Sequence, residues 1–150
     1  RFLYLQEEVG LRGAGVAAYQ VEPDIAFVLE GTTASDVPGT DDHKQATALG
    51  QGPAITVMDR AVIPNPQLVQ ELLALAAEKG IKVQIRRSTA GGTDAGQIQL
   101  SKAGVKVAAI SVPCRYIHSP AAVMCRDDFE GAYQLVKHYL ARLEERVGLS

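Results

Sequence analysis

Tryptophan is absent and aromatic residues make up only 5% of the chain, so no stretch interleaves aromatics with lysine and arginine. The formal charge is −2 and is spread along the sequence without a basic stripe. Both absences argue against a nucleic-acid partner, which calls for a concentrated cationic face and stacking side chains. Apolar runs are short against the roughly 20 residues that span a bilayer, and a membrane partner is not expected. The two cysteines, Cys114 and Cys125, are too few for a disulfide framework and lack the C-x-x-C spacing of a zinc site. Free, partly buried thiols in a reducing cytoplasm are the expectation.

What is present is a chain of 150 residues, 47% hydrophobic, enough for one domain with a core of its own. It begins at Arg1 and enters an apolar run at Phe2, a start expected of a fragment of a longer polypeptide. Strand-like and helix-like segments alternate from end to end, which predicts an α/β fold with a largely parallel sheet. The pattern predicts strands over 2–6, 24–30, 53–59, 81–87 and 105–111, and helices over about 11–21, 66–79, 94–103 and 128–146. A polar loop is expected over 31–49, and another from the last strand to about 120. Asn65 and Pro66 cap an apolar stripe that Lys79 and Gly80 close. Asp127 and Asp128 precede a second stripe, Phe129, Ala132, Leu135, Val136, Tyr139 and Leu140.

The chemistry-bearing residues cluster at predicted strand ends. Glu7 and Glu8 follow Phe2–Leu5, and two adjacent carboxylates can divide metal binding and proton transfer. Both reach one site only if the backbone leaves strand geometry there, which Gly10 permits; the alternative is a solvated acidic turn. Glu30 ends the run Ile25–Leu29, at the sheet edge where ligands bind in open α/β folds, or else it opens a loop into solvent. His118 follows the strand Val105–Ile110, so a third such loop offers a ligand. Imidazole with carboxylates suits zinc, cobalt or manganese. His43 and His138 compete less well, in a polar loop and on a helix surface. Gly91-Gly92-Thr93-Asp94 forms either a plain turn with Thr93 as helix cap, or a helix start able to hold an oxyanion. The alternative function is a non-catalytic or nucleotide-binding domain, because Gly13-Ala14-Gly15-Val16-Ala17-Ala18 imitates a dinucleotide turn. Its first glycine, however, lies well beyond the strand.

Four ordered motifs, Gln6–Ala14, Asp36-Val37-Pro38-Gly39, Gly91–Ala95 and Arg115–Ser119, resemble the C-terminal half of the glutamyl aminopeptidase family, also labelled deblocking or cellulase M-like aminopeptidases. The resemblance implies a three-layer α/β sandwich with a mixed, largely parallel sheet, of zinc-peptidase type and incomplete at its N-terminal side. It implies two divalent metal ions, zinc or cobalt, and removal of N-terminal residues from peptide substrates. By position, Glu7 becomes the general base, Glu8 and His118 ligate one metal, and Glu30 ligates the other, where the family more usually has aspartate. Gly92 and Thr93 fall beside the substrate. The resemblance also implies a dodecameric homo-oligomer, and further metal ligands on an N-terminal segment of the same protein, so residues 1–150 alone are expected to be inactive.

Overall fold

The computed structural model describes residues 6–148. Along the chain run α1 (Arg12–Val21), β1 (Ile25–Thr33), β2 (Ala54–Ile55), α2 (Pro66–Lys79), β3 (Gln84–Ile85), α3 (Ala95–Gln99), β4 (Lys106–Arg115), β5 (Val123–Met124) and α4 (Arg126–Val147), with a 3-10 turn at Asp42–Lys44. The predicted strand over 2–6 falls almost wholly outside the described residues.

The strands form one sheet in the order β1-β4-β2-β3, with β5 against the end of β4. β1 and β4 run parallel in an unbroken ladder from Ile25↔Lys106 to Thr33↔Cys114. β2 pairs β3 in parallel and β4 antiparallel, and β5 is antiparallel to β4. The sheet is therefore mixed, and its longest ladder is parallel.

Alternation along β4 divides the core in two, because successive side chains point to opposite faces. Val107 and Ala109 join Ala14 and Ala18 of α1 and Ala95 and Ile98 of α3. Ala108 and Ile110 join Leu72 and Leu75 of α2 and Leu135 and Tyr139 of α4. Helices thus cover both faces, which gives the expected three layers. Each fully buried leucine contributes about 1.5–3 kcal/mol, and Leu72, Leu75 and Leu135 are all 0% exposed.

Helix α2 has the predicted limits for the predicted reason. Asn65 Oδ1 accepts from the Leu68 N–H at 3.0 Å, Pro66 occupies the first turn, and Gly80 closes the helix at φ 65°. Elsewhere local chemistry corrects the expectations. β2 is short because Asp59 Oδ1 takes the N–H groups of Ala61 and Val62, turning the chain. α3 stops at Gln99, as Lys102 and Gly104 adopt left-handed backbone and swing the chain into β4. β4 continues to Arg115 through Pro113. α4 begins at Arg126, so Asp127 and Asp128 lie inside its first turn. Asp128 is 1% exposed, and its carboxylate accepts from Gly50 N–H at 2.8 Å and Gly52 N–H at 2.7 Å. Phe129 and Leu140, at the margins of the predicted stripe, are exposed among the described residues.

Candidate functional site

Residues 7–10 form a turn, as the carboxylate pair requires. The Glu7 carbonyl accepts from the N–H groups of Gly10 and Leu11, at 3.2 and 2.9 Å, and Gly10 sits at φ 121°, a conformation that favours glycine. Both carboxylates consequently border one cleft of about 1080 Å³. Glu30, Gly92, Thr93 and His118 line it too. Glu8 and His118 make direct contact, with Nδ1 3.4 Å from Oε1. Two donors bound at about 2.1 Å to one tetrahedral cation stand about this far apart.

Glu30 is placed differently from expectation. β1 does not end there but runs on through Gly31, Thr32 and Thr33, because the ladder with β4 continues. The carboxylate is thus held inside the strand, opposite Ser111, whose Oγ donates to its Oε1 at 3.3 Å. Burial pushes the Glu30 pKa up to about 7; the Ser111 hydrogen bond opposes this, Glu7 and Asp59 add to it, and Arg86 opposes it. A carboxylate so short of compensating charge is suited to a cation. The Glu7 pKa is likewise raised, first by burial and then by Glu8 and Asp94, with His118 acting the other way. Among the described residues no three His, Cys, Asp or Glu side chains converge as a cation cluster. The residues fit a metal as an incomplete donor set: one touching pair and one half-buried carboxylate in the same cleft.

Thr93 is buried, and its Oγ1 accepts from Ala95 N–H at 3.2 Å. It precedes the cap position, which Asp94 occupies, and α3 has only five residues. At Gly92 an added Cβ would lie 3.0 Å from Ala61 Cβ, so the turn rests directly on the 59–62 segment. His43 is exposed in the 3-10 turn and His138 is half-buried on α4. Neither borders the cleft. The segment Gly13–Ala18 lies within α1, not in a turn ahead of a helix. Its small residues allow close approach, with Gly15 against Gln97 of α3.

Two cleft residues escaped the sequence reading. Asp94 is 5% exposed, with Oδ1 lacking a partner among the described residues, and burial raises its pKa. Its place after Gly-Gly-Thr at a sheet edge was the available signal. Arg86 donates from Nε to Thr32 Oγ1 at 3.1 Å and from its other nitrogens to the carbonyls of Ser88 and Ala90. That clamp joins β1 to the loop leading to Gly92, and no local pattern announces it. Among the described residues no helix is long and apolar enough to cross a membrane.

Comparison with known proteins identifies the family and the fold. The family model for M42 glutamyl aminopeptidases matches residues 2–135. The glutamyl aminopeptidase of Lactococcus lactis subsp. cremoris is 36% identical over 139 residues, covering 93% of this chain and 38% of that protein. The aminopeptidase structure from the archaeon Desulfurococcus kamchatkensis superposes with a TM-score of 0.88 at 41% identity, over 91% of this chain and 39% of that one. A Pyrococcus horikoshii TET1 peptidase, described as assembling into a tetrahedron or a large octahedral shell, gives a TM-score of 0.74 at 35% identity, over 89% of this chain and 38% of its own. The chain spans about 39% of the length of the curated relatives it matches. With the family model covering most of its length and the sheet matching solved members, this chain belongs to the M42 glutamyl aminopeptidase family.

Proposed function

We propose that this chain is the C-terminal portion of the catalytic domain of a dinuclear metallo-aminopeptidase that removes N-terminal residues from peptides. The observation that carries the reading is the gathering of Glu7, Glu8, Glu30 and His118 on one cleft, with Glu8 and His118 in contact. Glu8 and His118 would hold one divalent cation and Glu30 a second, zinc or cobalt by the nature of the donors. Such cations supply Lewis acidity toward water and the scissile carbonyl when bound.

The chain's own residues do the remainder. Glu7 lies within electrostatic reach of Glu8, Asp94 and His118, and takes a proton from the attacking water on a carboxylate oxygen. It then returns a proton to the departing amine. Partial burial raises its proton affinity above that of a free carboxylate, as a proton shuttle working near neutral pH requires. Gly92 and Thr93 border the cleft as a wall for the peptide. The remaining ligands would come from an N-terminal segment of the same protein. The donor set described here is incomplete without them.

In the full-length protein Glu7→Gln is expected to lower turnover by roughly 10²–10⁴-fold with metal content retained. Unchanged activity refutes the assignment of Glu7, and loss of the metal transfers the residue to the ligand set. The proposal extends to assembly as a large homo-oligomer such as a dodecamer, supported by the shells described for the TET1 relative. It also extends to a cytoplasmic setting, supported by the free thiols of Cys114 and Cys125.

A further inference from the structure

The motif Asp36-Val37-Pro38-Gly39 has no part in the chemistry above, yet Asp36, next to the cleft residue Ser35, accepts hydrogen bonds from both Arg115 and Leu49. Arg115, the last residue of β4, donates from Nε to Asp36 Oδ1 and from Nη2 to Oδ2, both at 2.9 Å, and from Nη2 to the Asp36 carbonyl at 3.1 Å. Leu49 N–H donates to Asp36 Oδ2 at 2.9 Å, fixing the carboxylate from behind. A planar guanidinium held in this forked way has little rotational freedom.

Immediately beyond the fork the chain makes a turn with Tyr116 at φ 61° and His118 at φ 66°. Two left-handed non-glycine residues so close together persist only where their surroundings over-determine them. Ser119 closes the turn, with its N–H 3.2 Å and its Oγ 2.6 Å from the Tyr116 carbonyl. A second anchor lies at Gly31 of β1, where an added Cβ would stand 3.3 Å from Ile117 Cδ1 and 3.5 Å from Cys114 Sγ. The imidazole at the tip of this turn meets Glu8.

We propose that Asp36 and Arg115 are a positioning pair that sets the imidazole of His118 for metal ligation, acting through the 116–119 turn with Ile117 seated on Gly31. This rests on the reading of His118 as a ligand. Holding a ligand in place prepays its ordering, so loosening the hold weakens metal affinity roughly 10–100-fold. It leaves the chemistry intact once metal saturates.

The test is titration of the metal-free full-length protein with cobalt(II), followed by its visible absorbance, for Arg115→Lys, Asp36→Asn and Gly31→Ala. Each is made alone and together with His118→Ala. The expected result is a cobalt affinity weaker by roughly 10–100-fold in each single variant, kcat restored at saturating cobalt, and no further weakening on the His118→Ala background. Wild-type affinity in the folded variants, with His118→Ala still weakening the site, overturns the positioning role and leaves the ligand reading standing. Equal losses with and without His118 also overturn it, since the pair would then act by general destabilisation. Cobalt binding indifferent to His118→Ala removes the ligand reading and the inference together. Should Arg115→Lys fail to fold, Asp36→Asn and Gly31→Ala decide the matter by the same criteria.

Discussion

Removing the Asp128 carboxylate is expected to destabilise the protein by about 2–3 kcal/mol, more than removal of the neighbouring Asp127 carboxylate. The carboxylate is buried at 1% exposure and receives two short hydrogen bonds, from Gly50 and Gly52. Asp128→Ala leaves both N–H groups without this acceptor; the buried Gly52 donor is stranded at about 1–3 kcal/mol, whereas the N–H of exposed Gly50 turns to water. Asp127, its neighbour in the same turn, is exposed. Both acids gain the same modest attraction to the helix N-terminus, about 0.3–1 kcal/mol, so Asp127→Ala is the control that isolates the two bonds. Urea denaturation of the full-length variants measures the difference, and hydrogen exchange across residues 48–53 locates it. Asp128→Asn should fall between, because its oxygen serves one donor while its amide faces the other. If Asp128→Ala and Asp127→Ala fall within about 0.5 kcal/mol of each other, with unchanged exchange at Gly50 and Gly52, the claim that this carboxylate holds the loop ahead of β2 is refuted.

Tyr139→Phe should flatten the acid limb of the stability profile. The Tyr139 hydroxyl donates to Glu71 Oε2 at 2.5 Å and is the main cause that holds the Glu71 carboxyl below its ordinary value of 4.5. A depressed carboxyl contributes stability that is present above pH 4.5 and lost as pH falls through its lower folded value. The wild type should therefore lose more stability than the variant over that interval in chemical unfolding at stepped pH; parallel curves count against the linkage. Gly52→Ala should leave little folded protein at any temperature, since its Cβ would fall on the Lys82 carbonyl and Gly52 sits at φ 83°. Soluble expression with a wild-type melting temperature contradicts that reading.

The legible parts of the fold were those governed by neighbours in sequence. Helix α2 could be bounded because Asn65, Pro66 and Gly80 act on their own turns. The alternating layers followed from apolar period, and the cleft residues from carboxylates and an imidazole at or near the ends of predicted strands, although β1 runs on past Glu30. What could not be read depended on distant partners. Pro113 suggests the end of a strand, yet β4 passes through it because Thr32 of β1 lies opposite in the continuing ladder. Asp128 has the look of a helix-start acid, and only the arrival of Gly50 and Gly52 gives it a buried role. Arg86 and the Asp36–Arg115 fork join residues 54 and 79 positions apart, a span over which single-sequence patterns carry no signal.

The unbroken β1·β4 ladder has a consequence for how such a cleft can vary. Glu30 stands opposite Ser111, and the segment bearing His118 leaves from the far end of the same rails. Sliding one strand by a residue would turn every side chain to the opposite face and bury the carboxylate in the wrong layer. Distance between these two groups therefore cannot be tuned by backbone travel. Only side-chain length remains adjustable, one methylene at a time, and an exchange of Glu30 for aspartate is the smallest step the scaffold allows.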